Sequence, residues 1–304
     1  MVTIAVPAYN EEERLPALLT RLERCAPAEV AEVLVCDSLS DDCSAQIVAD
    51  WERRDPRVRL VRADRPGKAS AWNQLLAEAS SPLVFFIDAD VLPREDCLAC
   101  ALHAAAQSRK RLVFGCRRRA AGVHPLLRLL ADPVIEMSLA GGCYLLRRQS
   151  VLDRLRERGF ERMPDVLAED VWLQSLLERD EFQLLDECVF DFDPGSFRAH
   201  LRVQARKRLA ARELSEEYPE LARALHRNFP EFSSRAAQAA LALSGDPRPL
   251  RKIRWFAAGA AKALVDFVCA RSIKRRYREF SGAYETHGGG HVLRHLASSR
   301  HAYD

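Results

Sequence analysis

The 304-residue sequence has no uncharged apolar run approaching the ~20 residues that a transmembrane helix needs, so the chain is expected to be soluble. It does not open with a basic segment followed by an apolar one. Val2-Thr3-Ile4-Ala5-Val6-Pro7 reads directly as a strand, which predicts no signal peptide and a cytoplasmic protein. Glycine (13) and proline (15) are too few for a low-complexity or disordered chain. An excess of one charge is also missing: 46 basic against 43 acidic side chains leave +3, too little to imply a nucleic-acid partner. Nine cysteines are scattered without framework spacing, which excludes a disulfide scaffold and fits reduced thiols. Cys97-Leu98-Ala99-Cys100 is the one close pair; with no second pair or histidine at ligand spacing it reads as structural. No Gly-rich phosphate loop follows the first strand, which argues against a nucleotidyltransferase.

What is present is organised around Leu83-Val84-Phe85-Phe86-Ile87-Asp88-Ala89-Asp90, an apolar run that meets two carboxylates. Such a run suits a central parallel strand covered on both faces. Ligands of open α/β sheets sit beyond the carboxyl ends of their strands, where Asp88 and Asp90 fall. There they either cap the next helix or hold a hard divalent cation against substrate phosphates. Upstream, strand-like and helix-like segments alternate: Thr3 to Val6 then Glu12 to Cys25, Glu32 to Val35 then Ser44 to Arg54, Val58 to Val61 then Lys68 to Glu78. That spacing predicts parallel strands with right-handed crossovers. The loops at one sheet edge then carry Pro7-Ala8-Tyr9-Asn10-Glu11-Glu12, Asp37 to Asp42, Arg65-Pro66-Gly67-Lys68 and Asp88-Ala89-Asp90. Asn10, Glu11, Asp37 and Ser38 can each be read as helix caps. As a set, however, an acidic side chain for a nucleoside, a Gly-Lys at a helix start for phosphate and carboxylates for a metal match a nucleotide diphosphate.

Pro7-Ala8-Tyr9-Asn10-Glu11-Glu12, Val35-Cys36-Asp37-Ser38 with Asp42, Gly67-Lys68-Ala69 with Asn73, and Asp88-Ala89-Asp90 together resemble the nucleotide-sugar half of the family-2 glycosyltransferases, which have the GT-A fold. The resemblance implies an α/β fold with a GT-A (Rossmann-like), mostly parallel central sheet flanked by helices. It implies the Pro7 to Asn10 loop and Asp37 at the nucleoside, Lys68 near the base or pyrophosphate, and Asp88 at the ribose or phosphate. Asp90 is implied as the metal ligand, with Asp88 as a second candidate, for magnesium or manganese. Glu12, Asn73 and Ala89 join the donor-binding candidates. One departure stands out: the family usually has Gly-Ser where this chain has Leu39-Ser40, and Leu does not easily take positive φ.

Further on, Arg94 to Gln107 reads as a helix and Leu112 to Cys116 as a strand leading to Arg117-Arg118-Arg119, either a solvated loop or an anion attractor. His124 to Leu139 reads as helical. Gly141-Gly142 precedes an apolar strand and permits close backbone approach; in the resembled family this segment borders sugar and acceptor, making Gly142 a candidate. Glu169-Asp170 either caps a helix or, at the family's base position, supplies Asp170 to take the acceptor proton, with Glu169 shaping the site. One base opposite the leaving group implies inversion. Phe182 to Phe192 reads as hairpin-like, followed by a basic helix in which Gln204, Lys207 and Arg208 loosely match a family clamp for phosphate or acceptor. The clamp's customary Trp is Leu209 here. His200 is either a surface residue or a further metal ligand.

The resemblance ends near residue 215. The expected organisation is a catalytic region, 1–215, with donor (1–110) and acceptor (111–215) halves, then a C-terminal helical extension, 216–304, with helices over Glu216 to His226, Ser233 to Ala242 and Lys252 to Arg278. In the last of these Ile253, Phe256, Ala257, Ala260, Leu264, Phe267 and Val268 recur at helical spacing among basic residues. This basic amphipathic segment, 251–278, packs on its own domain or a second subunit, or lies on an anionic membrane surface. The expected partners are a nucleotide-sugar donor, UDP-linked, and an acceptor that is a glycan, lipid, peptide or small molecule. A polyprenyl phosphate acceptor and a non-catalytic nucleotide-sugar-binding protein are the alternatives. His287 and His291 lack a third ligand and suggest no metal.

Overall fold

In the computed structural model, residues 1–25, 28–120, 142–192 and 197–230 are described. Four parallel strands begin the sheet: β1 (Val2–Ala8), β2 (Val30–Asp37), β3 (Val58–Arg62) and β4 (Leu83–Ile87), in the spatial order β3-β2-β1-β4. The helices between them are α1 (Leu15–Cys25), α2 (Ser44–Arg54) and α3 (Lys68–Glu78), with α2 and α3 at the boundaries expected from the sequence. Helix α1 begins three residues later than expected. Residues 11–14 form a turn instead, with Arg14 and Leu15 both donating to the Glu11 carbonyl, because the backbone of this stretch is tied to the neighbouring loop. Strand β4 is buried as its apolar run requires: Val84, Phe85, Phe86 and Ile87 expose almost nothing, each worth about 1.5–3 kcal/mol of burial.

Beyond β4 the sheet changes direction. β5 (Val91–Pro93), α4 (Cys97–Gln107), β6 (Val113–Ala120), β7 (Cys143–Arg147), α5 (Arg148–Glu157) and β8 (Phe182–Phe192) complete it in the order β4-β7-β6-β8-β5. β7 runs antiparallel to β4 with Ile87 opposite Cys143. Helix α4 starts at Cys97 rather than Arg94, since Val91 to Pro93 pair antiparallel with β8 and the Arg94 amide extends that pairing to the Val189 carbonyl. The hairpin-like expectation for Phe182 to Phe192 is corrected: the segment is one strand, parallel to β6 and antiparallel to β5. It contains no Gly, Pro or Asn to turn the chain, and both its edges find partners. Three further helices follow: α6 (Glu169–Ser175), α7 (Phe197–Glu217) and α8 (Pro219–Asn228), with the break between α7 and α8 at Tyr218-Pro219.

The chain divides into two compact units, Met1–Ala121 with Ile135–Pro164 and Leu176–Asp193, and Gly122–Val134 with Asp165–Ser175 and Pro194–Asp304. The first contains the sheet. The second contains α6 to α8. Expected helices over His124 to Leu139, Ser233 to Ala242 and Lys252 to Arg278 lie outside the described residues, as do the side chains of Arg117 to Arg119, and His287 and His291. Among the described residues no helix is long and apolar enough to cross a membrane, and all seven described cysteines are free thiols. Cys36, buried beside Asp37 and Asp64, has its thiol pushed up to about 12 by burial and those charges, which makes it inert.

Candidate functional site

Asp88 and Asp90 lie on the turn that joins β4 to β5, closed by the Val91 amide on the Asp88 carbonyl at 3.2 Å. Asp88 is half-buried and accepts a hydrogen bond from Lys68 Nζ at 2.8 Å; Ala89 is tucked into the core; Asp90 is exposed. Lys68 is the first residue of α3, preceded by Gly67 at φ 115°, a conformation that a side chain would strain. The third and fourth loops therefore meet at an ion pair. On the other side of the turn, the Asp88 amide donates to the Gly142 carbonyl at 2.7 Å. Gly142 has φ 117°, and a Cβ there would stand 3.1 Å from Val91 and 3.3 Å from Phe190, so the close approach read from Gly141-Gly142 is real at Gly142.

The first and second loops are zipped together. The Asn10 amide donates to Ser40 Oγ at 3.0 Å while Asn10 Oδ1 accepts from the Asp41 amide at 2.9 Å. Glu12 makes a reciprocal pair: its amide donates to Asp42 Oδ2 at 3.1 Å and its Oε2 accepts from the Cys43 amide at 2.9 Å. The Ser38 amide donates to the Ala8 carbonyl at 2.8 Å, fixing the end of β1 beside Asp37, which is 3% exposed. Pro7 and Ala8 belong to β1 itself, and Tyr9 follows half-buried, its hydroxyl held up by burial and by Asp41 and Asp42. Asn10 and Leu39 both adopt positive φ, 52° and 62°. Leu39, expected from its side chain to avoid positive φ, thus takes a left-handed backbone, with the side chain 50% exposed and about 1–2 kcal/mol of strain.

Asn10, Glu11, Glu12, Glu13, Arg14, Asp41 and Asp42 line a shallow recess of ≈ 350 Å³. Glu11, which the sequence suggested only as a cap, is drawn into the same electrostatic field as the β4 turn. Burial pushes its carboxyl up against the lowering effect of Arg14 at 2.9 Å, and Asp90 and Asp88 raise it further. Glu11, Asp88 and Asp90 offer hard oxygen donors, and a divalent cation on their oxygens would attract a diphosphate. Their oxygens are donors of the kind that magnesium or manganese takes, although the three carboxylates do not gather within 4.8 Å of one another. Asn73 is otherwise committed: its Nδ2 donates to the Met163 carbonyl at 2.7 Å and its Oδ1 accepts from the Met163 amide at 3.0 Å.

The second unit holds Glu169 and Asp170 in the first turn of α6, where the helix dipole favours carboxylates. Glu169 is buried, 5% exposed; Asp170 is half-buried, and its Oδ1 accepts from the Val171 amide at 2.8 Å. The approach to α6 is fixed by Glu213 of α7, which accepts from the Leu167 amide at 2.8 Å and is 2% exposed. Burial pushes the Glu213 carboxyl up to about 7. Trp172 stacks edge-on against Tyr218, ring centroids 6.2 Å apart. Nothing in the sequence signals Glu213, because its partner is far away along the chain and is a backbone amide. His200, Gln204, Lys207 and Arg208 all lie on α7; Arg208 is half-buried, and the side chains of His200 and Gln204 are outside the described residues.

With this geometry in view, comparison with known proteins decides the family. Residues 3–152 match the model of glycosyl transferase family 2. These residues form a glycosyl transferase family 2 domain. An uncharacterised glycosyltransferase of Mycobacterium tuberculosis strain H37Rv is 37% identical over 129 residues, 40% of this chain and 51% of the relative. Another, YfnE of Bacillus subtilis, is 28% identical over 113 residues, 37% of this chain and 29% of the relative. The chain thus spans between about a quarter and a half of the length of such family-2 relatives. Among solved structures, a mannosyltransferase from Pyrobaculum calidifontis in complex with GDP-Man and Mn2+ superposes with a TM-score of 0.57 at 23% identity, covering 92% of this chain and 82% of that one. Glucosyl-3-phosphoglycerate synthase from Mycobacterium tuberculosis, in complex with Mn2+, UDP and glucosyl-3-phosphoglycerate, gives 0.51 at 21% identity, covering 71% and 79%. The chain has the GT-A fold, as its resemblance implied.

Proposed function

We propose that this chain is a metal-dependent, inverting glycosyltransferase that moves a hexosyl group from a nucleotide-diphosphate sugar, UDP-linked, to an acceptor hydroxyl. The observation that carries the reading is the β4 turn, where Asp90 is exposed beside Asp88, Asp88 meets Lys68 at 2.8 Å, and Glu11 adds a third carboxyl to the same field. The solved relatives that hold GDP-Man or UDP with Mn2+ support it. In this proposal residues 1–110 bind the donor and 111–215 the acceptor. Asp90, assisted by Asp88, holds the divalent cation, which when bound supplies charge stabilisation for the departing diphosphate. Asn10, Asp37 and Tyr9 border the nucleoside, and Lys68 gives a compact positive charge near the pyrophosphate.

Asp170 is the proposed base. Its carboxylate takes the acceptor hydroxyl proton as the acceptor oxygen bonds to the anomeric carbon and the bond from that carbon to phosphate oxygen breaks. Displacement from the face opposite the leaving group inverts the anomeric centre. The test is donor turnover, measured as release of the nucleoside diphosphate, with and without chelator and in Asp170→Asn. Chelation is expected to abolish turnover, and the variant to lose about a hundred- to ten-thousand-fold in kcat while still binding donor. Full activity in Asp170→Asn would remove the base assignment, and chelator-resistant turnover would remove the metal.

A further inference from the structure

Away from the carboxylates, the core of the first unit gathers cysteines from four separate elements. Cys97 begins α4, Cys116 lies in β6, Cys143 begins β7 and Cys188 lies in β8. All four are buried, none more than 2% exposed. The Sγ atoms of Cys97, Cys116 and Cys143 lie within 4.8 Å of one another, with Cys97 and Cys116 at 3.6 Å. Cys188, also buried, lies close enough to interact with Cys97 and Cys116, with its sulfur outside that 4.8 Å set. No disulfide bridges them, and 3.6 Å is far longer than a sulfur–sulfur bond.

We propose that Cys97, Cys116, Cys143 and Cys188 form a structural site for a single zinc ion. Four sulfurs at the usual Zn–S distance of about 2.3 Å in a tetrahedron stand about 3.8 Å apart, close to the Cys97–Cys116 spacing; Cys143 needs a small contraction to reach it, and Cys188 a larger one to close the site as the fourth ligand. All-thiolate ligation with no hard oxygen donor in the cluster selects a soft or borderline ion over magnesium or manganese. Helix α4 places the positive end of an 11-residue helix at Cys97, offsetting part of the charge that four thiolates around one Zn2+ would carry into the core. On binding, the four thiol protons leave to solvent, so affinity rises with pH.

Such a site would act as a staple behind the donor turn. Cys143 pairs with Ile87, the residue before Asp88, and the neighbouring Gly142 carbonyl receives the Asp88 amide. Cys188 lies one residue before Val189, whose carbonyl receives the Arg94 amide at the end of β5. Zinc would therefore lock both strands flanking the turn that carries Asp88 and Asp90. The competing account is that four small, apolar thiols merely fill space.

The experiment is elemental analysis and cobalt substitution of the full chain, purified with a non-chelating phosphine reductant. About one zinc per chain is expected, and cobalt in its place should give intense thiolate-to-metal absorption with the ligand-field bands of a tetrahedral site. The zinc should persist in Asp90→Asn, which separates this site from the one in the donor pocket, and be lost in the double variant Cys116→Ser/Cys143→Ser. Should that variant not fold, the cobalt spectrum of the unaltered chain decides alone. Reduced, unaltered protein that retains no zinc and shows no thiolate-to-cobalt absorption would overturn the site and leave packing as the role of the four cysteines.

Discussion

In the first unit, side chains of one loop hold the backbone of the next: Asn10 and Glu12 bind the Asp41 and Cys43 amides, and Ser40, Asp42 and Ser44 return the bonds. In the second unit, the approach to Glu169 and Asp170 is held by one buried carboxyl, Glu213, on the Leu167 amide. The difference is one of exposure. The loop zipper is wet at its edges, each bond worth about 0.5–1.5 kcal/mol, and its members share the load. Glu213 is alone and dry, so its bond is sensitive to its own protonation. The donor loops should therefore respond to substitution mainly in function, and the Glu213 support beneath Asp170 mainly in pH-dependent stability.

Within the first unit, the largest effect should come from Asp88→Asn. Its ion pair with Lys68 is part-exposed and contributes only ~0–1 kcal/mol to stability. Loss of its charge from the donor turn should nevertheless cost at least about a hundredfold in kcat/KM for the nucleotide sugar. Thermal unfolding and initial-rate kinetics on one preparation would check this. A variant that loses several kcal/mol of stability and little activity would reverse the comparison.

Glu213 supplies the next contrast. Its carboxyl sits at about 7 when folded against an ordinary 4.5, so between those values the folded chain holds a proton that the unfolded chain has released. The contribution of Glu213 to stability is then greatest below about 4.5 and is lost as pH rises through 7, by an amount of the order of 3 kcal/mol. Glu213→Gln keeps an acceptor for the Leu167 amide and removes the proton, so denaturant unfolding at pH 5 and 8 should give a flatter profile and a more stable protein at pH 8. An unchanged slope would assign the pH dependence elsewhere.

How much of this was legible depends on the range of the forces involved. Helices α2 and α3 and the β4 run were readable to the residue, because periodicity and the Gly67-Lys68 start are local signals. The four loops with Asp37, Lys68, Asp88 and Asp90 were readable as a set, since parallel βα units bring strand ends to one edge. The reversal of β7 and the single long β8 were not, because strand direction after β4 depends on partners far along the chain. The same limit hid Glu213 and left Cys97 looking like half of an unpaired motif. Its nearest described sulfur partner, Cys116, is 19 residues on and in another strand.

Asn73 tests whether a donor-site candidate can belong to the scaffold instead. Both ends of its amide are spent on the backbone of buried Met163. Asn73→Ala would leave a buried amide and carbonyl unpaired and should destabilise by about 2–3 kcal/mol. If the KM for donor also rises in protein that is still folded at the assay temperature, Asn73 serves both purposes; an unchanged KM confines it to the scaffold.

The smallest effect should be at Leu39, and its sign is informative. At φ 62° a leucine bears about 1–2 kcal/mol of backbone strain that glycine would not, while glycine costs about 0.4–1 kcal/mol through a freer unfolded chain. The side chain is half exposed, so little burial is lost in the exchange. Leu39→Gly is therefore expected to stabilise the chain slightly, by up to about 1 kcal/mol, measured as a shift in denaturation midpoint at constant slope. Donor affinity should stay as it was, since the zipper from Asn10 and Glu12 already imposes the loop's shape. A loss of affinity in the glycine variant would mean that the exposed leucine itself contacts the donor, and that the strain at this position is kept for binding.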